Sequence, residues 1–192
     1  MDWYQLVKLV HFMGLIALFG FFVLASRGGA RLRAATTRNE ARPWLSLLEM
    51  ARPMLPSGVV MLVISGALLA WFRWRGAYPF MVVGLACALL IWAVWAFVGA
   101  RYLRAISIAM GDEEGPITGA LAKLVRDPAR WAAWGSMNGA ALGVLAVMTL
   151  KLGWLGSIAV VLLVTAIVGT AFGVTVRRSR DALAGTSAGR AK

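Results

Sequence analysis

Five apolar stretches of membrane-spanning length, fenced by arginine, lysine, tryptophan and glycine, constrain this chain more than any other feature. They cover 6–25, 55–72, 79–98, 134–150 and 155–176, each near the ~17–25 residues that a helix needs to cross a bilayer. Apart from Lys8 at the mouth of the first, none contains Asp, Glu, Lys or Arg. A helix satisfies all its own backbone hydrogen bonds, so apolar runs of this length predict helices. The expected fold is an all-α membrane protein: five transmembrane helices, with short amphipathic helices in the cytoplasmic loops. Residues 1–180 form one domain, and the Gly-, Ala-, Ser- and Thr-containing tail over 181–192 is expected to be disordered.

Composition agrees. The chain is 60% hydrophobic and only 15% charged, with a mean hydropathy of +0.76, whereas soluble domains carry about 25% charged residues. The net charge of +12 does not point to nucleic acid, because the basic residues sit in loops and tail beside the spans, where anionic lipid reads them. The partners expected are the lipid bilayer and a membrane protein or a second copy of this chain. Cys87 is the one cysteine and lies inside the third span, so no disulfide framework or cysteine-based metal motif exists.

Counting Lys and Arg by side predicts orientation. Lys8, Arg73, Arg75 and Lys151 fall on the N-terminal face; the other sixteen of the 20 fall opposite. Those sixteen occupy the first loop (Arg27 to Arg52), the third (Arg101 to Arg130) and the tail from Arg177. The bias puts the N-terminus in the periplasm of a bacterial inner membrane and the C-terminus in the cytoplasm. Val23-Leu24-Ala25 resembles a signal-peptide cleavage site, but the start lacks a basic region and the apolar run is too long, so the first stretch reads as a span. The tryptophans predict the same boundaries: Trp3, Trp71, Trp74 and Trp154 at the outer one, and Trp95, Trp131 and Trp134 near the inner one.

The inner loops carry helix signals. Trp44, Leu47, Leu48 and Ala51 recur at helical spacing, with Pro43 at a plausible first helical position, and predict a short surface helix that Pro53 and Pro56 end. The third helix should run on through Arg101 and Arg104 to Gly111, where the acidic turn Asp112-Glu113-Glu114-Gly115-Pro116 stops it. Ile117, Leu121, Leu124 and Val125 mark a second small helix, and Asp127-Pro128 is a start signal for the next span. Gly135, Gly139 and Gly143, Gly169 and Gly173, and Gly84 with Ala88 form small-residue rows that admit a neighbouring backbone. Internal packing of the bundle is the expected use, ahead of a dimer face.

Chemistry is sparse. The spans hold no carboxylate, which argues against a proton relay, and the chain has no HExxH, CxxC or phosphate loop. Asn138, beside the glycine row, is expected to tie two helices together. The sole histidine, His11, lies about two turns into the first span, and an ionisable residue there is a functional candidate. Imidazole can ligate haem or copper, and Met81 and Met148 lie at similar depth as candidate thioether ligands. The bland alternative is a histidine that points into the bundle and hydrogen-bonds a neighbouring helix, with Thr149, Ser157 or a methionine thioether as the expected partner.

Lys8-x-x-His11-x-x-Gly14, then Phe19-Gly20 and the basic exit at Arg27, resemble the first helix of a broad group of small bacterial inner-membrane proteins. The group includes CopD-type copper-resistance proteins, the HemJ type of protoporphyrinogen oxidase, and a family of predicted integral membrane proteins of unknown function. Pro56-Ser57-Gly58, Ser65-Gly66 and Met148-Thr149-Leu150-Lys151 most resemble the last of these. By that resemblance His11 would be a haem ligand and Arg27 a functionally important partner, although this chain has no second histidine. Two functions follow: a multi-pass protein with a haem- or copper-related site at His11, or a non-catalytic accessory or structural subunit of a larger membrane complex.

Overall fold

The computed structural model describes residues 2–73 and 78–189, with side chains beyond 176 and at 73 left out, so Trp74, Arg75, Arg190 and Lys192 lie outside the described residues. Eight α-helices are described: α1 (Trp3–Ala34), α2 (Arg38–Ala51), α3 (Met54–Arg73), α4 (Pro79–Val94), α5 (Ala100–Met110), α6 (Gly119–Val125), α7 (Pro128–Leu150) and α8 (Trp154–Gly189). A π-helical turn, Trp95–Gly99, joins α4 to α5. Five helical segments are long and apolar enough to cross a membrane, so the chain is an all-α bundle of the multi-pass membrane type. The backbone of α8 stays helical to Gly189, into the segment expected to be a disordered tail.

Two close pairs build the bundle, α1 on α3 and α7 on α8, and α4 links them through contacts to α3, α7 and α8. Glycine sets both pairings. A Cβ on Gly14 would lie 3.1 Å from the Gly58 carbonyl oxygen, and one on Gly58 3.0 Å from that of Gly14, so α1 and α3 cross backbone to backbone. On α7, a Cβ at Gly139 would come within 2.7 Å of the Thr165 Cα, and one at Gly143 within 2.9 Å of the Val161 Cα. The glycine row therefore packs inside the bundle. Such rows supply dispersion contacts where lipid already satisfies apolar side chains.

The first helix is longer than a bilayer crossing requires, and the excess lies towards the arginine-rich end. At 1.5 Å per residue α1 is about 48 Å long, against a hydrocarbon core of ~30 Å. The overhang is packed: α2 buries Ala41, Leu45, Leu48 and Ala51, and Leu32, Ile106 and Val125 are fully enclosed with them. The helix expected to lie on the membrane surface is thus part of a cap on the bundle. It also begins earlier than Pro43, at Thr37, whose hydroxyl accepts from the Glu40 N–H while the Glu40 carboxylate accepts from the Thr37 N–H. This capping box satisfies donors that Pro43 cannot, and Pro43 sits inside the helix on its exposed face. Thr37→Ala should cost about 1 kcal/mol. Faster limited proteolysis around 36–42 would report it.

Arginines close this cap by neutralising helix C-termini, where carbonyls lack partners. Arg126 donates to the Arg33 and Ala35 carbonyls at the end of α1, at 3.2 and 3.0 Å. Arg38 donates to the Met110 carbonyl and Arg42 to that of Gly111, at the end of α5. Gly111 ends α5 at a φ of +53°, a positive φ that glycine adopts without strain, just before the acidic turn expected to stop the helix. Asp127 accepts from the Ala129 N–H ahead of Pro128, as its sequence indicates.

Candidate functional site

His11 sits on the face of α1 that meets α3. Its Nδ1 lies 3.0 Å from the Ser65 hydroxyl oxygen, its ring meets the Leu62 backbone, and Gly66 leaves room for the ring edge, whose Cε1 would be 3.5 Å from an added Cβ. The Ser65 hydroxyl donates to the Met61 carbonyl of its own helix. When the serine gives its proton to Met61, its oxygen accepts from a neutral ring that carries its proton on Nδ1, which leaves the Nε2 lone pair free. This tautomer can bind a metal while its other nitrogen is held by an outer partner. The sequence pointed His11 inward, but towards Thr149, Ser157 or a methionine; the partner found is Ser65, which is buried. Thr149 and Ser157 donate instead to the Leu145 and Leu152 carbonyls.

The other expected ligands do not converge on His11. Met81 and Met148 pack against the apolar cluster of Phe80, Val83, Val147 and Val161, and the Met148 methyl lies over Gly84, 2.1 Å from where a Cβ would be. Both thioethers fill the seam between α4 and α7. Arg27 is exposed on α1, sixteen residues beyond His11 and so about 24 Å along the axis. The residues named for haem and copper therefore occupy three places. Among the described residues no three His, Cys, Asp or Glu side chains group as a metal site.

A second place, which sequence reasoning missed, lies where α1, the π-helical turn, α5 and α7 meet. Phe21 packs edge-on against Trp95 and Trp134, with ring centroids 4.9 and 5.4 Å apart, and Trp95 lies 5.4 Å from Trp134. Trp95 and Trp131 are 3% and 4% exposed, so these rings are bundle core and not the headgroup belt expected of them. The π-helical turn is tied by the Ala100 N–H to the Trp95 carbonyl, and the Trp95 ring lies over Gly99, where a Cβ would stand 2.2 Å from it. These rings, with Tyr102 and Trp131, wall an apolar cavity of about 50 Å³. At the opposite end Trp3, Trp71 and Trp154 are 63%, 78% and 52% exposed, in keeping with an interfacial position.

Asn138 does not join two helices; its side-chain amide donates to the Trp134 carbonyl one turn back, at 2.9 Å. Ser136 and Thr170 bond back in the same way. No protein-family model, no characterised protein and no solved structure matches this chain.

Proposed function

We propose that this is a multi-pass protein of a bacterial inner membrane, with the N-terminus periplasmic and the arginine-rich cap in the cytoplasm, and that His11 is its ligand-binding group for haem or copper. The sixteen-to-four distribution of basic residues supports the orientation. One observation carries the site: Nδ1 of His11 faces the Ser65 hydroxyl, which also meets the Met61 carbonyl, an arrangement that suits a ring with its proton on Nδ1 and Nε2 as a donor. The resemblance of the first helix to haem- and copper-related membrane proteins agrees with that role. Because Met81, Met148 and Arg27 lie elsewhere, the protein supplies one donor from this site.

The visible spectrum and bound copper of protein purified from its own membranes test this reading. His11→Ala should abolish a Soret band or the copper content and leave the detergent melting temperature nearly unchanged. Ser65→Ala should weaken binding less, since it frees the ring without removing Nε2. Colourless, copper-free wild-type protein that co-purifies with other membrane proteins would overturn the His11 site and favour the accessory-subunit reading.

A further inference from the structure

The aromatic cavity sits at a boundary. Its inner wall is Phe21, Trp95 and Trp134, whereas its rim includes the exposed residues Val98, Ala133 and Arg130, so it opens sideways from the bundle. One water needs about 10–15 Å³ of such space and several polar partners. A lining this apolar offers few partners, so its 50 Å³ suits methylene groups better.

The rim is positively charged. Arg130 lies over the Tyr102 ring at 4.6 Å and Arg33 over the Trp131 ring at 4.0 Å. Tyr102 and Trp131 themselves meet edge to face, and the Tyr102 phenol lies in the field of both guanidinium groups. Tyr102 donates its hydroxyl to the Leu124 carbonyl and Trp131 its N–H to that of Val125, so both rings are held in place. Asp127 takes Nε of Arg130 at 3.0 Å, leaving its two terminal nitrogens, with 43% of the side chain exposed. Nη1 of Arg33 is buried without a partner among the described residues, and Arg33 has no carboxylate against it there. One carboxylate thus stands against two guanidinium groups beside an apolar opening.

We propose that this cavity binds an anionic phospholipid, its phosphate held by Arg130 in the field of Arg33 and part of an acyl chain lying against Trp95, Val98 and Trp134. Charge complementarity selects the headgroup, and guanidinium nitrogens suit a phosphate with two acceptor oxygens. The apolar opening selects a lipid over free phosphate. The site is separate from His11 and does not depend on the role of that residue.

Native mass spectrometry of the full chain in detergent, titrated with phosphatidylglycerol or phosphatidylcholine of matched chains, tests this. Phosphatidylglycerol should be retained in preference. Arg130→Gln should weaken it about tenfold, equivalent to about 1.4 kcal/mol. Ala133→Leu, which narrows the opening and keeps every charge, should weaken it as well. Arg101→Gln, an exposed arginine over Phe97 on the same end, should have little effect, and melting temperatures should show each variant folded. Arg130→Lys serves if Arg130→Gln fails to fold, and should lose less. Equal retention of both lipids would overturn the proposal, as would equal loss in Arg101→Gln. Displacement by inorganic phosphate would show an anion site with no lipid specificity, which also overturns it.

Discussion

Gly139→Ala is expected to destabilise the bundle by about 1–3 kcal/mol, the usual cost of overpacking, and Gly139→Leu by more. The added Cβ would stand 2.7 Å from the Thr165 Cα and 2.8 Å from the Val164 carbonyl oxygen. Both are backbone atoms in the middle of α8 and cannot turn aside as a side-chain tip can. The only relief is to move α8 away from α7, which gives up dispersion along the most extensive helix pair among the described residues. Gly173 is the control on the same pair, because a Cβ there meets only the Ala132 methyl at an ordinary 3.6 Å. Thermal denaturation in detergent should show a clear drop for Gly139→Ala and almost none for Gly173→Ala. Equal melting temperatures would mean that α7 and α8 do not pack on this row.

Trp131→Ala is expected to be the most damaging single truncation, at about 3–5 kcal/mol. The indole is 4% exposed and fills the space that Gly29 leaves on α1, where an added Cβ would meet its ring at 2.3 Å. Its N–H donates to the Val125 carbonyl at 2.9 Å, which ties α7 back to α6. Arg33 stacks on its face, so truncation also removes the ring that holds a half-buried guanidinium. Trp131→Phe keeps most of the ring and loses the hydrogen bond, which should cost about 1 kcal/mol beyond the smaller packing loss. Trp154→Ala, at an exposed position, should change melting little. Similar melting of the Trp131→Ala and Trp154→Ala proteins would show that Trp131 is interfacial and not core.

What could be read in advance followed from local chemistry. Apolar length identified the spans, Asp127-Pro128 the start of α7, and the spacing of Gly135, Gly139 and Gly143 a packing face. The start of α2 was also local, in Thr37 and Glu40, but Pro43 offered a competing signal further on. Trp95 and Trp131 were misjudged because tryptophan near a membrane boundary serves a wet interface and a dry core equally well. Which of the two holds depends on how α1, α5 and α7 are rotated against one another. The cavity has the same origin: its walls come from distant segments, and no spacing along the chain encodes it. Asn138 shows the opposite limit, since an amide inside a span can bond its own helix as readily as a neighbour. The His11–Ser65 pair needed the Gly14–Gly58 crossing, which sets α1 and α3 in register.

The orientation of the arginine-rich cap is the claim on which the functional account rests, and reporters fused to the C-terminus test it most directly. A green fluorescent protein fusion should fluoresce, because that reporter matures in the cytoplasm, and an alkaline phosphatase fusion, active only in the periplasm, should be inactive. An active phosphatase with a dark fluorescent fusion would place the cap outside and contradict the account.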